Sequence, residues 1–222
     1  VPYIEGVQSN GVAACVKHYA LNNQEYDRHA VNVEVNDRAL YEIYLPAFKA
    51  AVQKGKAWSI MGAYNRYKNQ YCCHNQYLLN DILRKEWGFD GVVVSDWGGV
   101  FNTMDAAYNG LDMEFGTWTD GLTNGKGDAY SNYYLAQPFL DLLKNGTIPE
   151  SVVDGKVRNI LRLMFRTTMN RNRPYGSFKT PAHASAARKI AEEGIVLLQN
   201  KNNVLPIRLC ETKRILVVGE NA

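Results

Sequence analysis

The chain has 222 residues, of which 46% are hydrophobic and 21% charged, a balance typical of a globular protein with a sizeable core. Its formal net charge is +3 and the basic residues are spread over the whole length, so we expect no nucleic-acid partner. No apolar run approaches the roughly 20 residues of a membrane-spanning helix, which predicts a soluble protein with no membrane partner.

The first predicted elements are a strand, a long loop and a helix. The strand covers residues 12–18 and ends in Lys17 and His18, and the loop after it contains Arg28. The helix runs from the N-cap Asn36 to Gly55. Its apolar residues recur on one helical face: Leu40, Ile43, Tyr44, Ala47, Phe48 and Ala51.

Three more strands follow, at residues 57–65, 91–95 and 111–115. Helices are predicted between them, at 75–87 and at 99–109. Strands that alternate with helices at this spacing indicate parallel βα units, so the predicted fold class is α/β.

The region after the fourth strand is predicted to be a loop at 116–130, on the same face as Asp96, and then a helix at 131–144. Thr147 and Glu150 have the spacing of a capping box that opens a further helix to about residue 168. A basic stripe on that helix is predicted to be a solvated face rather than an anion site. The stripe consists of Arg158, Arg162 and Arg166.

The remaining chain is predicted to be a linker at 170–181, a helix that begins at Thr180, and a buried strand at 214–219. Four strand units are half of a closed (β/α)8 barrel. We therefore expect the C-terminal half of a TIM-like barrel, then a linker helix and the first strand of a second α/β sandwich domain. The predicted boundaries are 1–169 for the barrel, 170–212 for the linker and connecting helix, and 213–222 for the truncated second domain.

The four cysteines give no sign of a metal site, because they lack CxxC spacing and a partner His. They are Cys15, Cys72, Cys73 and Cys210. No metal or other cofactor is expected. The adjacent Cys72 and Cys73 are predicted to be buried, reduced thiols rather than a disulfide.

The leading catalytic candidate is Asp96, in the stretch GFDGVVVSDWGG at 88–99. The valine run predicts a strand buried on both faces, and in barrels of alternating strands and helices the residues after such a strand lie at the active face. An Asp near Lys17 and His18 would stay ionised, and an ionised carboxylate can attack an acetal carbon. Trp97 offers an apolar face for a sugar ring, while Lys17, His18 and Arg28 can donate hydrogen bonds to hydroxyls.

Each of these signals has a plainer structural interpretation. A Lys-His pair at a strand end is most often structural or solvated, and an Asp after a strand is most often a helix N-cap. Met61 and Tyr64, near the end of the second strand, are core or rim residues by default. Two other functions stay open: a barrel lyase in which Lys17 forms a Schiff base, and a non-catalytic sugar-binding relic.

Five segments in order resemble the family 3 glycoside hydrolases, in the branch of β-glucosidases and β-xylosidases. The segments are KHYALNNQEYDRH, SIMGAYN, GFDGVVVSDW, GLDMEFG and AEEGIVLLQNKNNVLPI, and the similarity covers essentially the whole chain. The resemblance implies a retaining mechanism with Asp96 as nucleophile. It also implies that Lys17, His18 and Arg28 hold the sugar hydroxyls, while Met61, Tyr64 and Trp97 line the subsite.

The same resemblance implies what this chain lacks. In such enzymes the general acid/base is a Glu of the second domain, so the chain is expected to be a fragment that is inactive alone. Its partners would be a β-linked oligosaccharide or an aryl or alkyl β-glycoside, together with the rest of its own barrel and second domain. Glucosides and xylosides are both open. The resemblance favours a secreted or periplasmic location over a cytoplasmic one. The family's N-acetylglucosaminidase branch is disfavoured, because KHYALNNQE replaces its KHFPGHG segment.

Overall fold

In a computed structural model of the chain, the structure describes residues 1–116 and 133–220. Backbone contacts divide the chain into two compact units, Val1–Tyr175 and Gly176–Ala222. The predicted loop that begins at Gly116 otherwise lies outside the described residues. No helix in the described part of the chain is long and apolar enough to cross a membrane.

The centre of the first unit is a parallel sheet of three strands. They are β1 (Cys15–Tyr19), β3 (Ser59–Gly62) and β6 (Val92–Val94), hydrogen-bonded in the order β1-β3-β6. The prediction of an α/β fold with parallel strands is confirmed. The strand predicted at 111–115 is reduced to an isolated parallel bridge between Val94 and Met113.

The core of this unit lies where the sheet packs against the helices. Ile60 and Val93 of the sheet belong to one buried cluster with leucines of the helices, such as Leu40, Leu79 and Leu83. Burying one such aliphatic side chain contributes about 1.5–3 kcal/mol. All three residues of β6 are buried, as expected for a strand with helices or protein on both faces.

The helix predicted from Asn36 to Gly55 exists, but it is interrupted. It consists of α2 (Asp37–Ala39), a π-helical turn (Leu40–Tyr44) and α3 (Pro46–Gln53). Asn36 caps it as predicted, since its side chain accepts a hydrogen bond from the backbone N–H of Ala39 at 2.8 Å.

The apolar face predicted for this helix is partly wrong. Ile43 is 69% exposed, whereas Leu45 is 1% exposed. The π-helical turn, in which the N–H of Leu45 bonds to the carbonyl of Leu40, inserts an extra residue and rotates the following face. Regular helical periodicity does not hold across such a turn.

A small second sheet, formed by one strand before β3 and two after it, has no counterpart in the sequence prediction. It contains β2 (Asn32–Val33), β4 (Arg66–Tyr67) and β5 (Gln70–Tyr71). The two residues of the β4–β5 turn, Lys68 and Asn69, have φ of +52° and +63°. Glycine usually provides such angles, so the sequence gives no hairpin signal here.

The helix predicted at 75–87 is confirmed as α4 (Tyr77–Glu86), whose hydrogen bonds are of the π type. Asn75 accepts a hydrogen bond from the backbone N–H of Leu78 at 2.9 Å. Gly88, with φ +71°, follows the last turn as predicted. A short 3₁₀ helix (Cys72–His74) precedes α4.

Besides an N-terminal helix α1 (Pro2–Gln8), which was not predicted, the described part of the first unit contains three further helices. They are α5 (Thr103–Tyr108), α6 (Gln137–Lys144) and α7 (Glu150–Arg166). The capping box predicted at Thr147 is wrong, because the N-cap of α7 is Pro149 and no side chain caps it.

The solvated basic face predicted for α7 holds for the exposed Arg158 but is wrong for Arg162 and Arg166. Arg166 binds both carboxylate oxygens of Asp90, at 3.1 and 2.7 Å, and Arg162 donates to the backbone carbonyl of Asp90 at 2.6 Å. The side of α7 that faces the sheet instead presents Lys156, which donates to the carbonyls of Ala106 and Leu111. Three apolar residues of the same helix, Val157, Leu161 and Met164, are half-exposed.

The second unit begins with α8 (Pro181–Gly194). Thr180 caps it as predicted, with its hydroxyl accepting from the backbone N–H of His183 at 3.2 Å. The buried strand predicted at 214–219 is wrong for this chain: no described residue pairs with it, and Leu216 and Val218 are exposed. A strand needs a hydrogen-bonded neighbour, whatever its propensity.

All four cysteines are free thiols. Cys72 and Cys73 are completely buried, so the prediction for this pair is confirmed. Cys15 and Cys210 are exposed.

Candidate active site

The predicted site residues lie where the carboxyl ends of the parallel strands meet. His18 lies near the end of β1, Met61 near the end of β3, and Asp96 two residues after β6. The strands are in register, with Met61 opposite Val94. Side chains that are far apart in sequence therefore converge at one edge of the sheet.

Asp96 is buried, with only 7% of the residue exposed, and both of its carboxylate oxygens contact neighbouring groups. Oδ2 lies 3.2 Å from Nε2 of His18, and Oδ1 accepts a hydrogen bond from the backbone N–H of Trp97 at 2.8 Å. Asp96 is not a helix N-cap, because the next helix, α5, is capped by Asn102. The structure therefore excludes the plainer interpretation of this residue.

The neighbour His18 does not balance the charge of Asp96. Burial lowers the pKa of His18 below the ordinary histidine range, and the opposing effect of the Asp96 carboxylate is smaller. His18 is therefore neutral at pH 7. With its proton on Nε2 it donates a hydrogen bond to Asp96 while leaving the negative charge of the carboxylate in place.

Tyr64 lies beside Asp96, and Arg28 lies against Tyr64. The hydroxyl of Tyr64 donates to the backbone carbonyl of Trp97 at 2.8 Å, and the guanidinium of Arg28 lies over the Tyr64 ring at 4.7 Å. Burial, together with the charge of Asp96, raises the pKa of Tyr64 to about 12. Arg28 also pairs with Glu25 at 2.6 Å, which agrees with a structural role for that Glu.

Trp97 presents its ring to solvent, with 53% of the residue exposed. The ring leans on Phe115, with centroids 6.1 Å apart. A Cβ at Gly116 would lie 2.3 Å from the Trp97 ring, so this position accepts only glycine. An indole fixed in this way is suited to stack on a sugar ring.

Two predicted residues are close to Asp96 without binding it. Lys17 is exposed on β1, one residue before His18, and forms no ion pair with the described residues. Met61 is half-buried on β3. The structure thus joins His18, Tyr64 and Trp97 to Asp96 through a chain of direct contacts, whereas Lys17 and Met61 only flank it.

Sequence reasoning missed Cys73 and His29. The Sγ of Cys73 accepts a hydrogen bond from the backbone N–H of Asp96 at 3.4 Å. The ring of His29 packs edge-on against Tyr64, with centroids 4.3 Å apart. The sequence predicts only that the thiols of Cys72 and Cys73 are buried in the core, so it contains no signal for the contact between Cys73 and Asp96.

No three His, Cys, Asp or Glu side chains in the described part of the chain converge as metal ligands. Glu114 accepts a hydrogen bond from the backbone N–H of Leu135 at 2.7 Å. Burial raises the pKa of its carboxyl.

Comparison with known proteins identifies relatives over the whole chain. The family profile described as "Glycosyl hydrolase family 3 N terminal domain" matches residues 1–163. The β-glucosidase BoGH3A of Bacteroides ovatus is 54% identical over 227 residues, which cover 100% of this chain and 30% of the relative. The thermostable β-glucosidase B of Acetivibrio thermocellus is 39% identical over 206 residues, which cover 93% of this chain and 25% of the relative.

A solved structure also matches this chain. It is the structure of β-glucosidase 3B from Thermotoga neapolitana in complex with α-D-glucose, with a TM-score of 0.80 and 38% identity. The match covers 93% of this chain and 28% of that chain. The chain thus spans between 25% and 30% of the length of these three proteins.

Proposed function

The chain belongs to glycosyl hydrolase family 3, and on this premise we propose that it carries Asp96 as the nucleophile of a retaining β-glucosidase. The observation that supports this most is the state of the carboxylate. Asp96 is buried and oriented by two hydrogen bonds, yet its histidine neighbour is neutral, so its charge is available to an electron-poor carbon. The proposal is made for the complete protein that carries this chain.

In the proposed first step a carboxylate oxygen of Asp96 forms a bond to the anomeric carbon of a β-glucoside. The bond from that carbon to the leaving oxygen breaks, and the leaving oxygen takes a proton from the general acid. Water then opens the glycosyl ester, with the same acid group now acting as base, and the sugar leaves with its original configuration.

Lys17, His18 and Arg28 are proposed to hold the sugar hydroxyls, and Met61, Tyr64 and Trp97 to line the subsite. The exposed Lys17 and the flat Arg28 guanidinium suit this role, because both are hydrogen-bond donors and the charges of both act on His18, the partner of Asp96. Trp97 supports it by offering an exposed, fixed ring.

The general acid/base is proposed to come from outside this chain. A retaining pair of carboxyl groups stands about 5 Å apart. Glu25 is engaged by Arg28, and Glu114 by the backbone of Leu135, so neither is free to protonate a leaving group. We accordingly expect the chain alone to be inactive.

We propose that residues 1–169 are the C-terminal half of a (β/α)8 barrel, that 170–212 are a linker with its connecting helix, and that 213–222 begin a second α/β domain. Three parallel strands with a fourth attached by a single bridge support half a barrel. The half-exposed apolar side of α7 supports further protein packed against it. On this proposal, residues 214–219 would pair only with strands from outside the chain.

Glucosides are favoured as substrates over xylosides because the matched relatives are named β-glucosidases and one matched structure holds glucose. The Schiff-base alternative fits less well, because a Lys nucleophile is usually desolvated and Lys17 is exposed. A sugar-binding relic would not need an oriented, charged Asp96.

The test is hydrolysis of nitrophenyl β-glucoside and β-xyloside by the complete protein, with the first-formed anomer followed by NMR. The proposal expects release of β-glucose, with the glucoside hydrolysed more efficiently than the xyloside. An α-configured first product would contradict the retaining mechanism. Faster hydrolysis of the xyloside would make the protein a β-xylosidase.

A further inference from the structure

The backbone N–H of Asp96 is hydrogen-bonded to a side chain rather than to a strand of the parallel sheet. The preceding N–H, of Ser95, donates to the carbonyl of Met113 at 2.9 Å. Successive N–H groups of an extended chain point to opposite sides, so that of Asp96 turns towards β3. By the register of the strands its acceptor would be the carbonyl of Gly62, the last residue of β3, but the N–H of Asp96 bonds to the Sγ of Cys73 instead.

The thiol of Cys73 takes the place of a strand carbonyl as the hydrogen-bond partner of this N–H. Its Sγ accepts from the N–H of Asp96 and donates to the carbonyl of Ala63, each at 3.4 Å. A thiol can do both at once, as a weak donor and a weak acceptor. Burial raises the pKa of Cys73, so the group keeps the proton that it donates.

The space around Cys73 is built for a side chain of this size. A Cβ at Gly99 would lie 2.8 Å from its Sγ, and a Cβ at Gly62 would lie 2.6 Å from its Cα. Gly99 in turn donates its N–H to the carbonyl of Asp96 at 3.0 Å. The sulfur therefore packs against the turn that carries Asp96 as well as against the end of β3.

We propose that Cys73 is a positioning residue for glycosyl transfer, because its thiol links the end of β3 to the backbone of Asp96 and so sets where the carboxylate lies. This inference rests on the proposed function, in which Asp96 is the nucleophile. Cys73 does not touch the sugar. Its loss therefore affects the step in which Asp96 bonds to carbon more than the binding of the sugar itself.

The adjacent Cys72 provides a matched control. It is equally buried, and its Sγ also makes two weak hydrogen bonds, accepting from Asn65 and donating to the carbonyl of Ala20, each at 3.4 Å. It makes no hydrogen bond to Asp96. Replacing either cysteine by alanine removes the same atoms from the core, so a difference in catalysis between the two variants isolates the link to Asp96.

The experiment compares Cys73→Ala, Cys73→Ser and Cys72→Ala in the complete protein, using an activated aryl β-glucoside as substrate and glucose as competitive inhibitor. For Cys73→Ala we expect kcat/KM to fall by about tenfold or more while the inhibition constant of glucose stays within about twofold. Cys73→Ser keeps a donor and an acceptor and should recover kcat/KM to within about threefold of the original. Cys72→Ala should lose stability but keep kcat/KM within about twofold.

A Cys73→Ala protein as fast as the original, or equal losses of kcat/KM in both alanine variants, would overturn the role of Cys73. If the Cys73→Ala protein does not fold well enough to be purified, hydrogen exchange at the backbone amides of the unaltered protein tests the inference instead. The Asp96 amide should then be protected like that of Ser95, and exchange as fast as in an exposed loop would overturn the inference. Absence of any glycosidase activity in the unaltered protein would instead refute the proposed function.

Discussion

Two buried aspartates, Asp96 and Asp112, stand close together in the chain and differ in what their oxygens bind. Asp112 is 6% exposed, and its carboxylate accepts from Arg84 at 2.6 Å, from the backbone N–H of Val93 at 2.7 Å and from Asn159 at 2.9 Å. Asp96 is 7% exposed and is met by a neutral His18, the backbone N–H of Trp97 and the hydroxyl of Tyr64, none of which is a cation.

The difference separates a structural carboxylate from a reactive one. The charge of Asp112 is neutralised by the Arg84 guanidinium, and its lone pairs are used by the protein. Asp96 keeps its charge and has capacity left for a ligand. Both residues are buried, so burial does not distinguish their roles. Asp96 follows β6, whereas Asp112 precedes the bridge at Met113, and the two carboxylates differ in their partners.

The largest expected effect is on activity, from Asp96→Ala in the complete protein. Removing the nucleophile should lower kcat by about four orders of magnitude or more, since no covalent ester can form. The melting temperature should change little, because the carboxylate supports few contacts. Asp90→Ala is the control for a neighbouring Asp and should keep its kcat. More than about a tenth of the activity left in Asp96→Ala would contradict the assignment.

Asp112→Ala should show the opposite pattern. It leaves the half-buried Arg84 guanidinium without its carboxylate and the buried N–H of Val93 without its acceptor, and the free energy of unfolding should fall by about 3–5 kcal/mol. Asp154→Ala, the same change at an exposed position of α7, should cost less than about 0.5 kcal/mol. The measurement is denaturant unfolding of both variants. Equal stability in the two would show that the Asp112 cluster contributes little to the fold.

A smaller effect is expected for Arg28→Lys, which keeps the charge but not the flat guanidinium lying over Tyr64. In the complete protein kcat/KM should fall by more than about tenfold, equivalent to about 1.4 kcal/mol. Arg38→Lys is a matched control, because Arg38 pairs with Glu42 at 3.1 Å on an exposed helix surface. If both changes leave kcat/KM unaltered, Arg28 does not bind the substrate.

The smallest effect concerns pH and His74. Its Nε2 accepts a hydrogen bond from the backbone N–H of Phe101 at 3.2 Å, and burial lowers its pKa. Between its lowered folded pKa and about 6.5, the unfolded chain binds more protons than the folded one. The free energy of unfolding should therefore fall as the pH drops below about 6.5, by at most about 1.4 kcal/mol per pH unit for this group.

His18 and His29 have lowered pKa values as well and should act in the same direction. The share of His74 is measured by comparing melting temperatures between pH 7.5 and 5.5 for the unaltered protein and for His74→Gln. The variant should show the shallower decline. An identical slope would mean that His74 is not responsible for it.

Features that depend on local sequence could be predicted. Parallel strands follow from apolar runs between helices, and the caps at Asn36 and Thr180 follow from side chains that accept from the first turn. The convergence of His18 and Asp96 follows from strand ends meeting at one edge of a sheet. The sequence motifs then identified the family, and the comparisons confirm it.

Features that depend on contacts distant in sequence could not be predicted. Arg166 pairs with Asp90, which is 76 positions away in the sequence, so the basic stripe that contains Arg166 was predicted to be solvated. Cys73 binds the backbone of Asp96, which is 23 positions away. The π-helical turn after Leu40 has no periodicity signal and rotated the expected core face. Hydrophobicity at 214–219 predicted burial, but a strand is buried only where a neighbour pairs with it.

The central claim is tested most directly by trapping the glycosyl ester in the complete protein with a 2-deoxy-2-fluoro β-glucoside. The fluorine slows the hydrolysis of the ester, and peptide mapping then locates the sugar. The account predicts the label on Asp96. Asp90, six residues earlier on the same peptide and occupied by Arg166, should stay unlabelled. Label on Asp90, Asp112 or any other residue would contradict the claim that Asp96 is the nucleophile.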